Sequence, residues 1–496
     1  MRRLIKFLNT KKSNHLGKDA LKLTISKMLT MFISLLAAML LSRFRSLEEY
    51  GTYSQILLLV NITTALFMLG LPNSINYFLA QSESQHDKGI FLSTYYTLST
   101  ILSAIVGLVL ILTTPIAIEY FNNPYLAKFL YVLAVYPWAK IIISSIENVL
   151  IVYKKTTVII YYRVANSLLI LFSIIAVEIF NWTFEIYMLL FIIVEIVFSI
   201  IVYLIVSRIS ENFRILFAIQ TIKRILIFSI PIGLATTIGT INIELDKLMI
   251  GKFLDTEMLA IYTNASKELP VTIVAVSLTG IILPEIVRFI KLNKHKFALE
   301  IWSSGIILSF IVISLFVAGI FTFAPDVITL LYSDKYLEGV NVFRIYAILL
   351  LLRCTYFGMI LNATGRTKFI FYSSMVSLGL NVVFNYFFFK MLGLIGPAVA
   401  TLLSQLTINI IQLIFSARII NVTFLEIFPW KKIGIITFVN LVFAMVFYII
   451  KNLSNLEFYV GGVTESIILG IIWSGLYIML FKNEIYKQWN KLNIRN

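Results

Sequence analysis

What most constrains this chain is a succession of apolar runs, each close to the roughly 20 residues that a helix needs to cross a hydrocarbon layer. About 14 such runs follow one another between Leu23 and Phe481. Inside lipid, backbone that is not helical leaves N–H and C=O groups unsatisfied, so repeated runs of this length specify a bundle of helices. Composition agrees, with 59% of the 496 residues hydrophobic and 13% charged, a balance foreign to soluble globular domains. The expected fold is an all-α polytopic membrane protein with about 14 transmembrane helices.

The formal net charge of +16 invites a nucleic-acid reading, but its placement argues for topology. Basic residues gather at Arg2, Arg3, Lys6, Lys11, Lys12, Lys18 and Lys22, at Lys154 and Lys155, from Arg288 to Lys296, and at Lys431 and Lys432. With the amino terminus inside, all of these fall on the cytoplasmic face, as the positive-inside rule requires. The protein is therefore expected in the cytoplasmic membrane, multi-pass, with both termini cytoplasmic. Its basic patches contact anionic membrane lipids rather than nucleic acid. Arg43 and Arg45 break the pattern on an outer turn, where Glu48 and Glu49 offset them.

Several classes of function are disfavoured. The basic stretch ahead of the first run, with no small-residue cleavage site after it, is not the pattern of a removable signal peptide. Cys354 is the one cysteine, which leaves no intrachain disulfide and no cysteine-based metal site. His15, His86 and His295 all fall outside the apolar runs, and no metal or cofactor is expected. No phosphate-binding glycine loop of the ATPase kind is present. No nucleophile–base arrangement stands out either, so the chain does not read as an enzyme.

The chain also repeats itself at a separation of about 210 residues. Glu48, Gly51, Tyr53, Ser54 and Gln55 line up with Glu257, Ala260, Tyr262, Thr263 and Asn264. Gly70-Leu71-Pro72 lines up with Ile282-Leu283-Pro284, and Lys155-Thr156 and Tyr161 with Arg366-Thr367 and Tyr372. An even number of spans per copy gives parallel repeats, an arrangement seen in transporters that bind near the midplane. The domain plan is a basic tail over 1–22, a six-helix lobe over 23–206 and a linker over 207–224. A second six-helix lobe over 225–418 follows, then a helix pair over 433–481 and a tail over 482–496. Pro231, Pro270, Pro284 and Pro397 are expected to kink their helices.

Charges inside the apolar runs mark the candidate site. Lys140 lies midway along the run Phe129 to Tyr153, Glu195 midway along Phe184 to Val206, and Arg353 midway along Val340 to Leu361. Facing lipid, each would cost on the order of 3 kcal/mol, so they are expected to face the interior. One reading is a cationic, water-filled cleft between lobes that takes an anionic headgroup such as a sugar diphosphate, since Lys and Arg suit phosphate. The other is a packing pair, Lys140 with Glu195 or with Glu147. Arg353 has no acid in its own run. Lys27 either joins the cleft or extends to the headgroups. Glu244, Asp246 and Lys247, together with Lys267 and Glu268, read as a gating ion-pair network or as ligand contacts. Trp138 and Tyr136, beside Lys140, have rings suited to stacking on sugars.

Three segments carry a family resemblance. Arg45, Glu49, Tyr50, Gly51, Tyr53 and Ser54 after the first run form one pattern. Pro231, Asp246-Lys247, Gly251 and Ile261-Tyr262 form a second, and Ala363-Thr364-Gly365-Arg366-Thr367-Lys368 a third. Together they resemble Wzx-type lipid-linked oligosaccharide flippases of the MATE-like superfamily. The resemblance implies that a polyprenyl-diphosphate-linked oligosaccharide is flipped across the membrane for surface polysaccharide synthesis, O-antigen or capsule. It also implies polysaccharide polymerase and chain-length proteins as partners. Two relatives in the same superfamily are the rivals. Cation-coupled multidrug exporters rely on an acid in the first helix, and Leu23 to Leu41 has none. Peptidoglycan-precursor flippases carry arginines in the first two helices, where this chain has Lys27.

Overall fold

The computed structural model describes residues 2–82, 84–454 and 459–493, and the described residues are helical nearly throughout, with no strand among them. By contacts the chain divides into Met1–Ala260 and Ile261–Asn496. The first unit holds α1 (Arg2–Phe44), α2 (Leu47–Met68), α3 (Leu71–Gln81), α4 (Gln85–Phe121), α5 (Leu130–Val152), α6 (Thr156–Ile179), α7 (Phe184–Ile209) and α8 (Ile219–Phe253). A short helix α9 (Thr256–Ala265) straddles the division. The second unit continues with α10 (Ile273–Lys291), α11 (His295–Thr322), α12 (Ala324–Leu331), α13 (Val340–Leu351), α14 (Met359–Ala363), α15 (Thr367–Leu392), α16 (Gly396–Ile419), α17 (Trp430–Leu453) and α18 (Gly462–Asn493). The domain plan drawn from the sequence opens the second lobe at 225, whereas contacts group α8 with α2, α3 and α4.

The first pattern of the resemblance builds the joint between α1 and α2. Ser46 caps α2 by accepting from the Glu49 N–H at 3.1 Å, and the Glu49 carboxylate accepts from the Ser46 N–H at 3.1 Å, a reciprocal capping box. Arg45 donates to the Trp182 carbonyl at 3.3 Å. Gly51 is glycine because a Cβ there would stand 2.0 Å from the Thr256 carbonyl oxygen. Gln55 then donates to the Thr256 hydroxyl at 3.1 Å and accepts from Asn123 at 2.7 Å. Between α2 and α3 the chain turns through Leu69 and Gly70, both left-handed at φ 48° and 69°. Gly233 of α8 packs into that turn so closely that its own Cβ would meet the Leu69 carbonyl carbon at 2.1 Å.

Among the described residues, twelve helical segments are long and apolar enough to span a membrane, against about 14 expected, and two features explain the difference. The segment Thr367–Ile419 is counted once but is two helices, α15 and α16, joined by a 3-10 turn at Gly393–Ile395. The run Val340 to Leu361 breaks after α13 and resumes as helix only at Met359. A second break lies at 266–269, between α9 and the 3-10 turn Pro270–Thr272. Pro231 and Pro284 lie inside helices as expected. Pro270 and Pro397 instead start helical segments, where the missing N–H has no partner to lose.

The repeat seen in the sequence is also a repeat of backbone. Six-residue 3-10 helices at Pro124–Phe129 and Asp334–Gly339 precede α5 and α13. The turns after α5 and α14 match as well. Lys154 and Gly365 are both left-handed, at φ 55° and 71°. The next N–H in each, Lys155 and Arg366, returns to the carbonyls of Leu150 and Leu361 at 2.8 Å, the 6→1 bond of a helix C-terminus. In the second unit the last two helices are tied in by polar contacts. Asn440 of α17 donates to Ser314 of α11 and Tyr477 of α18, both at 3.1 Å.

Candidate functional site: charged groups within the helices

In the first unit, Lys140 projects from α5 onto α2 and donates to the Asn61 side-chain oxygen. The Asn61 amide nitrogen donates in turn to Glu244 of α8 at 2.8 Å. The other Glu244 oxygen accepts from Lys247 at 2.8 Å, one turn along α8. Three helices are thus joined by a chain of lysine, amide, carboxylate and lysine. Glu244 is 6% exposed, so its charge is held by these partners rather than by solvent. An amide suits the centre because it accepts from the cation and donates to the anion at once.

Two turns along α5 from Lys140 is a second charged group. Glu147 accepts from Arg163 of α6 with one oxygen, and its other oxygen lies 3.5 Å from the Lys27 ammonium of α1. Lys27 keeps 56% of its side chain exposed, while Glu147 and Arg163 keep 21% and 27%. Beside this triad Asn148 donates to the Pro72 carbonyl at 2.9 Å and accepts from Asn76 at 3.1 Å, fixing α3 against α5. Of the two packing pairs considered for Lys140, Glu147 is engaged elsewhere. Glu195 is near enough for its charge to act on Lys140, but the two form no ion pair among those described.

Glu195 is buried on α7, at 6% exposure. Its surroundings are phenolic, with Tyr53, Tyr136 and Tyr162 all within electrostatic reach. Tyr136 packs edge-on against Phe191 at 5.1 Å, and Trp138 stacks on Tyr203 at 6.2 Å. Both rings therefore already have protein partners.

In the second unit, Arg353 lies in the break after α13 and is ion-paired with Glu268, which lies in the break after α9. Glu268 also accepts from Thr272 at 2.9 Å. Asn409 of α16 donates to the Leu352 carbonyl at 3.0 Å, and Thr355 accepts from Trp302 at 2.9 Å. The acid that Arg353 lacks in its own run comes from the other break. Non-helical backbone of this kind is tolerated at membrane depth only where protein or a water-filled cavity shields it.

The groups expected to gate divide between the two units. Glu244 and Lys247 form a pair one turn apart, and Asp246 on the same helix is 1% exposed. Lys267 belongs to the second unit, half-buried in the break at 266–269. Two side chains that sequence reasoning passed over are central to the geometry. Asn61 is neutral and barely dents the apolar run around it. Arg163 is five residues into its run with no acid nearby in sequence, and that isolation was the available signal.

Fold and site together define a polytopic α-helical membrane protein built on a duplicated helix pattern, with ionised groups held between its helices. The family described as "Polysaccharide biosynthesis protein" matches residues 40–341, and the chain belongs to that family. A curated relative, an uncharacterized membrane protein of Methanocaldococcus jannaschii, is 24% identical over 428 residues, covering 82% of this chain and 98% of that one. Among solved structures, the lipid II flippase MurJ in an inward closed conformation superposes with a TM-score of 0.72 at 17% identity, covering 93% of this chain and 99% of that one. An inward-facing multidrug resistance MATE family transporter of the MOP superfamily gives 0.61 at 14% identity, covering 81% and 98%. The family is thus one of polysaccharide biosynthesis, and the helical fold expected from the Wzx-type resemblance is borne out by the likeness to the MurJ and MATE structures.

Proposed function

We propose that this protein flips a polyprenyl-diphosphate-linked oligosaccharide across the cytoplasmic membrane for assembly of a surface polysaccharide. The observation that carries the reading is a set of cations at membrane depth, Lys140 first among them, within a polysaccharide biosynthesis family. Ionised side chains in spanning helices are expensive and mark substrate pathways, and a diphosphate headgroup is the anion such a lipid presents. The likeness to a lipid II flippase supports a lipid-linked cargo.

In this reading Lys140 and Lys27 contact the headgroup in the first unit and Arg353 does so in the second. Glu195 sets the charge around Lys140, and Glu244, Asp246, Lys247 and Lys267 belong to gating contacts. The chain works as a transporter rather than an enzyme. Both termini are cytoplasmic, the side favoured by the basic clusters, and polymerase and chain-length proteins receive the product. An ion gradient or the membrane potential, worth about 2.3 kcal/mol per charge per 100 mV, drives the return.

The test is complementation of a strain lacking its own oligosaccharide flippase, scored by surface glycan. Restored glycan with wild type, and its loss with Lys140→Ala at equal membrane abundance, is the expected result. Normal glycan with Lys140→Ala removes the assigned site. Drug resistance on overexpression without any glycan returning points to an exporter instead.

A further inference from the structure

The first unit places two charged clusters on one face of one helix. Lys140 and Glu147 are seven residues apart on α5, two turns, or about 10.5 Å of rise along a single face. Each anchors a bonded group of cations and a carboxylate, and Glu195 adds a second negative charge near Lys140. One is Lys140 and Lys247 around Glu244, linked through Asn61, and the other is Lys27 and Arg163 around Glu147. At Glu147 one carboxylate faces two cations, and a surplus of positive charge is costly inside a membrane.

We propose that this face of α5 is a two-station track for a diphosphate, with Arg163 and Lys27 as the first station and Lys140 as the second. This rests on the flippase reading above and adds residues to it. Glu147 is the nearer of the two anchors to the basic turn Lys154-Lys155, so the first station is the one nearer the cytoplasm. There Glu147 acts as a resident anion. It holds the Arg163 fork and the Lys27 ammonium in place when no cargo is present, and it competes with the incoming diphosphate. Arg163 presents planar paired donors suited to phosphate oxygens, and Lys27, largely exposed, supplies a mobile point charge. Asn148 and Asn76 hold α3 beside this station through the bonds already described. Competition by Glu147 keeps the first station weak enough to release its cargo toward Lys140, as conduction through successive sites requires.

The experiment uses the full chain in lipid nanodiscs, with farnesyl diphosphate as the probe and farnesyl monophosphate as the comparator. Export in the flippase-deficient strain is scored in parallel. Arg163→Ala is expected to weaken diphosphate binding about ten-fold, the loss of one charge-assisted contact, and Arg163→Lys to recover part of it. Glu147→Gln keeps both cations and removes the competitor, so it should bind the probe several-fold more tightly while exporting less glycan. Glu147→Gln binding as weakly as Arg163→Ala would make the triad a packing device and overturn the proposal. So would Arg163→Ala binding and exporting like wild type while Lys140→Ala loses both, and in that case the flippase reading survives. Wild type that neither binds the diphosphate nor restores glycan ends both.

Discussion

The Asn61 side-chain amide donates to Glu244 at 2.8 Å, which ties α2 to α8 across 183 residues of sequence. Because the same side chain accepts from Lys140, a single neutral group keeps a half-buried lysine and a buried glutamate apart while satisfying both. Asn61→Leu preserves volume but leaves both charges without that partner. The expected cost is about 1–3 kcal/mol, the penalty for stranding buried polar groups. Adding Glu244→Gln should recover part of it. Melting of the purified variants checks this, and an Asn61→Leu curve superposing on wild type would show that the bridge carries no weight.

The glycines at close contacts should respond differently from glycines in open space. A Cβ at Gly51 would sit 2.0 Å from the Thr256 carbonyl oxygen, whereas nothing lies within 4 Å of one at Gly239. Alanine in a helix is intrinsically better than glycine by about 1 kcal/mol, and overpacking costs about 1–3 kcal/mol. Gly51→Ala should therefore lower the melting temperature and Gly239→Ala should leave it unchanged or raise it. Size-exclusion thermostability measurements distinguish the two.

Arg353 and Glu268 keep 35% and 44% of their side chains exposed, and pairs this accessible contribute at most about 1 kcal/mol. Stability is thus expected to change little in Arg353→Ala or in the reversed pair Arg353→Glu with Glu268→Arg. Export should fall in both, since the reversed pair restores the attraction but not the position of the cation. Glycan returning with the reversed pair would mean that only the link between the two breaks matters.

Lys451 of α17 and Asp326 of α12 are ion-paired with side-chain exposures of 18% and 16%. Ser466 of α18 donates to Asp326 at 2.8 Å. Removing one charge leaves the other stranded, so Asp326→Leu alone should cost about 3 kcal/mol. Combining it with Lys451→Met should cost less than either single change. A double-mutant cycle on thermal melting measures the difference, and additive losses would contradict the coupling.

Much of the architecture is legible in the sequence. The apolar runs place the spans, and the matched turns at Lys154 and Gly365 confirm that similarity between the halves was structural rather than compositional. Breaks were not legible, because hydropathy averages side chains and does not register backbone. Pro270 hints at one of them, but the stretch from Leu352 to Gly358 contains no proline at all. Pairings within the site were hidden for a different reason. Glu147 meets Lys27 and Arg163 only because α1, α5 and α6 pack together, and nothing in local sequence specifies that neighbourhood. Lys140 was found from its charge alone, while Asn61, its actual partner, carries none.

The interruption after α13 bears on how the protein enters the membrane. Val340–Leu351 has 12 residues, about 18 Å of helix against a hydrocarbon thickness of about 30 Å. Such a piece is too short to be released into lipid by itself. Its insertion is therefore expected to depend on the residues that follow it, which truncation after Leu351 would test by whether the helix still integrates.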